Sequence, residues 1–174
     1  MSDFTENDSM QTPDEQALST ESNGSDIPCM LLPLVGGHLL VPTVTVAEMA
    51  PIQPFDIKPN TPDWFLGFFP WRNTRVPVIS YETINQDSSP KLSARGRVAI
   101  LNNTGVSDEV PFVGLLTQDI PRMTRVEEAD IVENTDVKKK DYDLMAVKVG
   151  MEELAIPNIE ALEIALGELN LSRF

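Results

Sequence analysis

Cysteine and histidine are almost absent from this 174-residue sequence, which contains only Cys29 and His38. A single cysteine cannot form an intramolecular disulfide, so we do not expect a disulfide-stabilised secreted domain. We expect a cytoplasmic protein instead. Two such residues are too few for most His/Cys metal sites, and the sequence predicts neither a metal nor a cofactor. Phosphate-binding glycine loops, dinucleotide fingerprints and nucleophile elbows are also missing, so we expect a protein that is not an enzyme.

Basic residues are scarce as well, because 13 Lys and Arg stand against 27 Asp and Glu and give a net charge of −14. Such a chain repels nucleic-acid backbones and anionic lipid headgroups, so nucleic-acid binding is not predicted. No apolar run approaches the roughly 18 residues of a membrane-spanning helix. The N-terminus lacks the features of a signal peptide, so direct membrane insertion is not expected either.

The first 27 residues differ in composition from the rest of the chain. They carry seven acidic residues, no basic residue and few apolar side chains. Such a segment cannot bury enough apolar surface to offset the entropy of ordering, so residues 1–27 are predicted to be a disordered acidic tail. A solubilising leader is the favoured role, and binding to a partner is the alternative.

Residues 28–174 show the pattern of a mainly β domain. Apolar runs flank short turns at Gly36-Gly37, at Arg72–Thr74 and at 102–105, which predicts three hairpins. In the second turn, Asn73 is the residue that best tolerates a left-handed backbone. Further strands are expected near 123–126, 144–149 and 154–156, and the charged segment 127–143 is interpreted as a solvated loop.

A polar linker and a late helix complete the predicted organisation. Residues 84–96 separate two hairpin-rich halves, so two lobes are expected to meet there. The helix is predicted over 158–171, with Asn158 as its N-cap. Its apolar residues recur at spacings of three or four, which should dock one face on a sheet; these are Ile159, Leu162, Leu166 and Leu169.

One constellation of residues is more specific. Val46-Ala47-Glu48 precedes a proline-rich loop, and Gly67, Arg72 and Pro77-Val78 follow it without a gap in their spacing. This arrangement resembles the signature of the CheW family of chemotaxis coupling proteins, in which a Val-x-Glu strand is followed by a Gly-x-x-Asn-Leu-Arg-Gly-x-x-x-Pro segment. The resemblance covers about residues 29–171 and is carried mainly by the first half.

The resemblance implies a fold, a function and a set of partners. The expected fold is two small SH3-like five-stranded β-barrel lobes around a shared apolar seam, with a C-terminal helix. The expected function is a non-catalytic adaptor between the cytoplasmic tip of a methyl-accepting chemoreceptor and the regulatory domain of a CheA-type histidine kinase. The short length and the segment 118–122 look most like the ChpC-type branch, which belongs to type IV pilus chemosensory systems and twitching motility.

By the same resemblance, four residues are candidates for partner binding: Val46, Glu48, Gly67 and Arg72. Each also has a structural interpretation. Arg72 could contact an acidic partner group or tie its turn to Glu48, and Glu48 could equally pair internally. Gly67 could be required by the backbone alone, and Val46 could belong to the core.

Several positions depart from the family pattern, namely Pro70, Trp71, Asn73, Ser80 and Gln118. They keep open a second hypothesis, a scaffold for motility machinery that uses this fold without contacting a kinase. A third hypothesis, a small β-barrel enzyme or ligand-binding protein, requires a pocket with convergent polar groups and perturbed ionisable residues.

Overall fold

The computed structural model describes residues 26–89 and 91–174, which form eleven strands and two α-helices. Residues 1–25 of the predicted acidic tail lie outside the described residues. The last residue of that predicted tail, Ile27, belongs to the first strand. The elements are β1 Ile27–Leu34, β2 Gly37–Pro42, β3 Val46–Pro51, β4 Phe65–Trp71, β5 Thr74–Ile79, α1 Tyr81–Ile84, β6 Arg97–Asn102, β7 Phe112–Thr117, β8 Arg122–Val126, β9 Ile131–Glu133, β10 Asp143–Val149, β11 Glu152–Pro157 and α2 Ile159–Glu168.

The strands form two sheets, which confirms a mainly β fold. One is six-stranded in the order β8-β1-β2-β11-β10-β9, and the other is five-stranded in the order β3-β6-β7-β5-β4. The sixth strand of the first sheet is β9, which pairs with β10 inside the segment predicted to be a solvated loop. The expectation of five strands in each lobe therefore holds for the second sheet only.

Residues 84–96, where two lobes were expected to meet, do not lie between the two sheets. That segment leads from β5 to β6, and both strands lie in the second sheet. The first sheet instead combines both ends of the described chain, because β1 pairs with β8 and β2 pairs in parallel with β11. Hairpin signals report only which neighbouring strands pair, so they did not reveal these long-range partners.

All three predicted hairpins are present, but two turns differ in detail from the prediction. In the first, Leu34 pairs with Gly37, so the turn is Val35-Gly36 and only Gly36 has a positive φ, +78°. In the second, Trp71 pairs with Thr74, and Arg72 rather than Asn73 adopts the left-handed conformation.

The core confirms the expected apolar seam. One cluster takes side chains from both sheets and from α2, and each such buried side chain contributes about 1.5–3 kcal/mol to folding. Its fully buried members include Leu32, Leu39, Leu101, Leu115, Leu162 and Leu166. A second cluster, with Phe69, Trp71 and Ile100, lies within the second sheet, and a third lies within the first sheet.

The C-terminal helix begins where the sequence predicts and ends earlier. The Asn158 side chain accepts a hydrogen bond from the Ala161 N–H at 3.0 Å, as an N-cap does. The helix ends at Glu168, and Asn170, with a φ of 50°, turns the chain away. Neither α-helix in the described ranges has the length and apolarity that a membrane crossing requires.

Helix α1 was not predicted and falls at the border of the expected linker. Ser80 caps it by accepting the Thr83 N–H at 3.2 Å. The Tyr81 hydroxyl donates to the Tyr142 carbonyl at 2.7 Å and to Asp143 Oδ1 at 2.6 Å. This helix therefore connects the end of the second sheet to the start of β10 in the first.

Candidate functional site

The candidate site lies where the two edges of the second sheet meet. Strands β3 and β4 are at opposite ends of the strand order, yet Trp71 Nε1 on β4 donates to Glu48 Oε2 on β3 at 2.8 Å. The sheet must curl on itself for these atoms to touch, which gives it the barrel-like shape expected of the lobe. Glu48, Trp71 and Arg72 thus form one cluster, here called the rim cluster.

Arg72 is fixed on one side and open on the other. Its Nη2 lies 3.1 Å from Glu48 Oε2, and its guanidinium carbon lies 4.4 Å from the centre of the Trp71 ring. The Arg72 side chain is nevertheless 69% exposed. A guanidinium has five N–H donors, so most of them remain available to a partner.

The backbone of Arg72 is unusual, because its φ is 51°. For a residue with a Cβ, the left-handed conformation costs roughly 1–2 kcal/mol. The turn places Arg72 back over the ring of Trp71, the residue directly before it. A strained residue with an exposed, oriented side chain is a reason to infer function from the observed geometry.

Glu48 and Val46 are separated by a bulge in β3. Val46 pairs with Leu101 of the seam, whereas Glu48 pairs with Ile100 of the second-sheet core. Cross-strand partners share a face, so Val46 and Glu48 point to opposite sides although they are two residues apart. Val46 is half-buried against the seam, which is its structural interpretation, and it does not join the rim cluster.

Gly67 is required by the backbone. Its φ is +117°, and a Cβ at this position would lie 2.6 Å from the Asp56 carbonyl oxygen. Asp56 and Phe68 exchange backbone hydrogen bonds of 2.8 and 3.0 Å, so the proline-rich loop lies directly on β4. Positive φ and the close approach of the loop therefore both require a glycine at this position.

Sequence reasoning missed the roles of two aromatic residues. Trp71 is buried, and it also donates to Glu48 and supports the Arg72 guanidinium. Phe112 packs edge-on against the Trp71 ring, with centroids 4.9 Å apart and planes at 74°. The departure of Trp71 from the family pattern was the available signal, because an indole N–H buried in a strand requires an acceptor.

A cavity of about 160 Å³ bears on the ligand-binding hypothesis. It lies between the tip of the first hairpin, α1 and the segment before β10, and it is lined in part by His38. Its two buried carboxylates accept bonds from the protein itself. Glu82 accepts from the Val35 N–H and the Ser80 hydroxyl, and Asp143 from the Tyr81 hydroxyl and the Lys140 N–H.

The ionisable groups there have structural explanations. Burial and the bond to Asp143 raise the pKa of Tyr81. Outside the cavity, in the core of the first sheet, burial raises the pKa of the Cys29 thiol, as expected for an unreactive cysteine. In the part of the chain that the structure describes, no group of three or more His, Cys, Asp or Glu side chains is arranged to hold a metal ion.

The sequence and the fold are similar to those of known proteins. The family model of the CheW-like domain matches residues 28–164. The crystal structure of the scaffolding protein TtCheW from Thermoanaerobacter tengcongensis is similar, with a TM-score of 0.65 and 17% sequence identity over 76% of this chain and 88% of that chain. No curated protein sequence matches the chain. The structural likeness shows a shared fold, and the family match shows that the chain belongs to the CheW-like domain family.

Proposed function

We propose that this protein is a non-catalytic adaptor of a chemotaxis signalling array. It couples the cytoplasmic tip of a methyl-accepting chemoreceptor to the regulatory domain of a CheA-type histidine kinase, and it works in the cytoplasm. Membership of the CheW-like domain family and the fold shared with a scaffolding protein support this proposal.

The rim cluster is the observation that carries it. Arg72 is an exposed cation held in place by Glu48 and Trp71 before any partner binds. Pre-organisation reduces the side-chain entropy lost on association, so an acidic group or a carbonyl of a partner can be bound at lower cost. Of the four candidate residues, Glu48 and Arg72 would touch the partner, and Val46 and Gly67 would act by shaping the lobe.

The finer assignment is to the ChpC-type branch and a type IV pilus array. The segment that supports it, residues 118–122, connects β7 to β8 and is held by ordered contacts. The Thr117 hydroxyl donates to the Asp119 carbonyl at 2.9 Å, and Asp119 pairs with Arg95 at 2.9 Å. Binding to the kinase of a pilus system in preference to that of a flagellar system would distinguish the two outputs.

Calorimetry with the full chain tests the adaptor role. The regulatory domain of the CheA-type kinase from the same organism is titrated into the wild-type protein and into Arg72→Ala. We expect Arg72→Ala to weaken binding by about 1–3 kcal/mol, as loss of an interface hot spot does. Circular dichroism should show the same fold for both proteins.

Arg95→Ala is the matched control. Arg95 is 70% exposed and pairs with one carboxylate, as Arg72 does, but it lies just before β6, at the opposite end of the second sheet. Its replacement should leave the affinity unchanged. Equal losses for both variants would mean that general charge, not the rim cluster, drives binding. No binding by the wild-type protein would favour the alternative of a scaffold without a kinase contact.

A further inference from the structure

A buried carboxylate on α2 is not explained by the fold alone. Glu163 has no exposed surface. Its Oε1 accepts a hydrogen bond from the Thr104 backbone N–H, and its Oε2 has no partner among the described residues. Burying a carboxylate with incomplete hydrogen bonding is costly, and an apolar side chain would suit the helix face better. We therefore expect that a hydrogen-bond acceptor is needed at position 163.

That acceptor holds the loop between β6 and β7, residues 103–111. The hydrogen bonds within this loop are long. The Asn103 side-chain amide and the Val110 backbone N–H donate to the Ser107 carbonyl at 3.5 and 3.4 Å. Thr104 lies near the start of the loop, where the bond to Glu163 fastens it to the helix. Val110 near the far end of the loop is buried in the seam, so it is the start of the loop that depends on the bond to α2.

The far end of the loop reaches the rim cluster. Phe112, the first residue of β7, packs on Trp71, which donates to Glu48 and supports Arg72. The loop and the β4–β5 turn also border a groove of about 540 Å³. Its lining includes Asn73, Thr74, Asp108, Glu109 and Pro111. A displaced loop would therefore change both the support of Trp71 and the surface beside Arg72.

We infer that Glu163 is a positioning residue for partner binding: from the buried face of α2 it holds the β6–β7 loop so that Phe112 and Trp71 present Arg72 in one orientation. This inference rests on the proposed adaptor function. It assigns to the helix a role in the interface although Glu163 itself cannot reach a partner.

The test compares Glu163→Met, which has a similar shape but no acceptor, with Glu163→Gln, which keeps a carbonyl for Thr104. Glu160→Gln, an exposed glutamate on the same helix, is the control for charge. Three quantities are measured in the full chain: hydrogen exchange of the Thr104 amide, the NMR resonance of the Trp71 indole N–H, and the affinity for the kinase regulatory domain.

We expect Glu163→Met to speed Thr104 exchange by about tenfold, to shift or broaden the Trp71 indole resonance, and to weaken binding by about fivefold. Glu163→Gln should restore all three values to within about twofold of the wild type because its carbonyl accepts the same bond. Glu160→Gln should change none of them. If Glu163→Met does not fold, Thr104→Pro removes the donor instead. Because proline has no N–H, only the Trp71 indole resonance and the affinity are measured for this variant.

Unchanged Thr104 exchange in Glu163→Met would overturn the inference, and so would faster exchange with an unmoved Trp71 resonance. A glutamine variant that behaves like the methionine variant would also overturn it. If the wild-type protein binds no kinase domain, the proposed function fails, while the exchange and indole measurements still decide whether Glu163 positions the rim cluster.

Discussion

The two hairpins β1–β2 and β4–β5 have connections of equal length but place different residues in the left-handed conformation. In the first it is Gly36, and a Cβ there would meet nothing within 4 Å. In the second it is Arg72, whose Cβ makes that conformation costly. The first turn thus has a glycine where the left-handed backbone conformation carries little cost. The second turn keeps Arg72 in spite of backbone strain, which indicates that its side chain is needed.

The tips are also held differently. The first is fixed through its backbone, because the Val35 N–H donates to Glu82 Oε1 at 3.1 Å while the Val35 side chain is left exposed. The second is fixed through its side chain, by Glu48 and Trp71. A backbone anchor positions a loop, whereas a side-chain anchor positions a functional group.

The largest effect is expected from Gly67→Ala in the second hairpin. The new Cβ would clash with the Asp56 carbonyl and disfavour the backbone conformation, at about 3–5 kcal/mol in the free energy of unfolding. Gly36→Ala in the first hairpin meets no atom and should cost only about 1 kcal/mol. Urea denaturation measures both, and equal losses would contradict the clash at Gly67.

Next in size is Tyr81→Phe, which removes a donor to Asp143 near the first hairpin. We expect a loss of about 1–3 kcal/mol at pH 7. Burial and Asp143 raise the pKa of Tyr81, so its stabilisation is complete below the unfolded pKa near 10 and declines as the pH rises beyond it. The difference between wild type and variant should therefore shrink in urea titrations above that pH. A difference that grows there would contradict this assignment.

Replacing Arg72 by Gly and by Ala separates strain from function. Both variants lose the guanidinium and should bind the kinase domain equally weakly. Gly accepts the left-handed conformation, so Arg72→Gly should be about 1 kcal/mol more stable than Arg72→Ala. Thermal unfolding and calorimetry on the same samples give both quantities, and equal stabilities would show that the turn relaxes when the side chain is lost.

The smallest effect is expected from Glu48→Gln. The amide oxygen can still accept from Trp71, and the exposed ion pair with Arg72 is worth only about 0.2–1 kcal/mol. Stability should change by no more than that, and raising the salt concentration should reduce the difference. A larger loss would mean that Glu48 is part of the core rather than of the rim.

The parts of the fold that depend on neighbouring residues could be predicted from the sequence. Alternation and turn residues located the three hairpins, and Asn158 with its apolar repeat located the start of α2. The pairings of β1 with β8 and of β2 with β11 join residues far apart in the chain, and no local pattern encodes them.

The candidate site, like the fold, combines contacts that could be predicted from the sequence with contacts that could not. The contact of Arg72 with Glu48 was one of the interpretations that the sequence allowed, and the structure contains it. The bulge that turns Val46 away from Glu48 could not be predicted, because it depends on how β3 pairs with β6. The support of Trp71 by Phe112 likewise requires two strands that are not adjacent in sequence.

The first sheet pairs strands that are far apart in the sequence, and this has a consequence for synthesis on the ribosome. The β1–β2 hairpin emerges about 80 residues before β8, which at ordinary elongation rates of about 5–20 residues per second is a delay of roughly 4–16 s. An isolated two-stranded hairpin is marginally stable, so during this interval Leu31 and Leu40 have no complete core to enter. All strands of the second sheet are translated within that interval, so this sheet can fold first. Its apolar face then offers the nascent hairpin a surface to pack on until β8 is made.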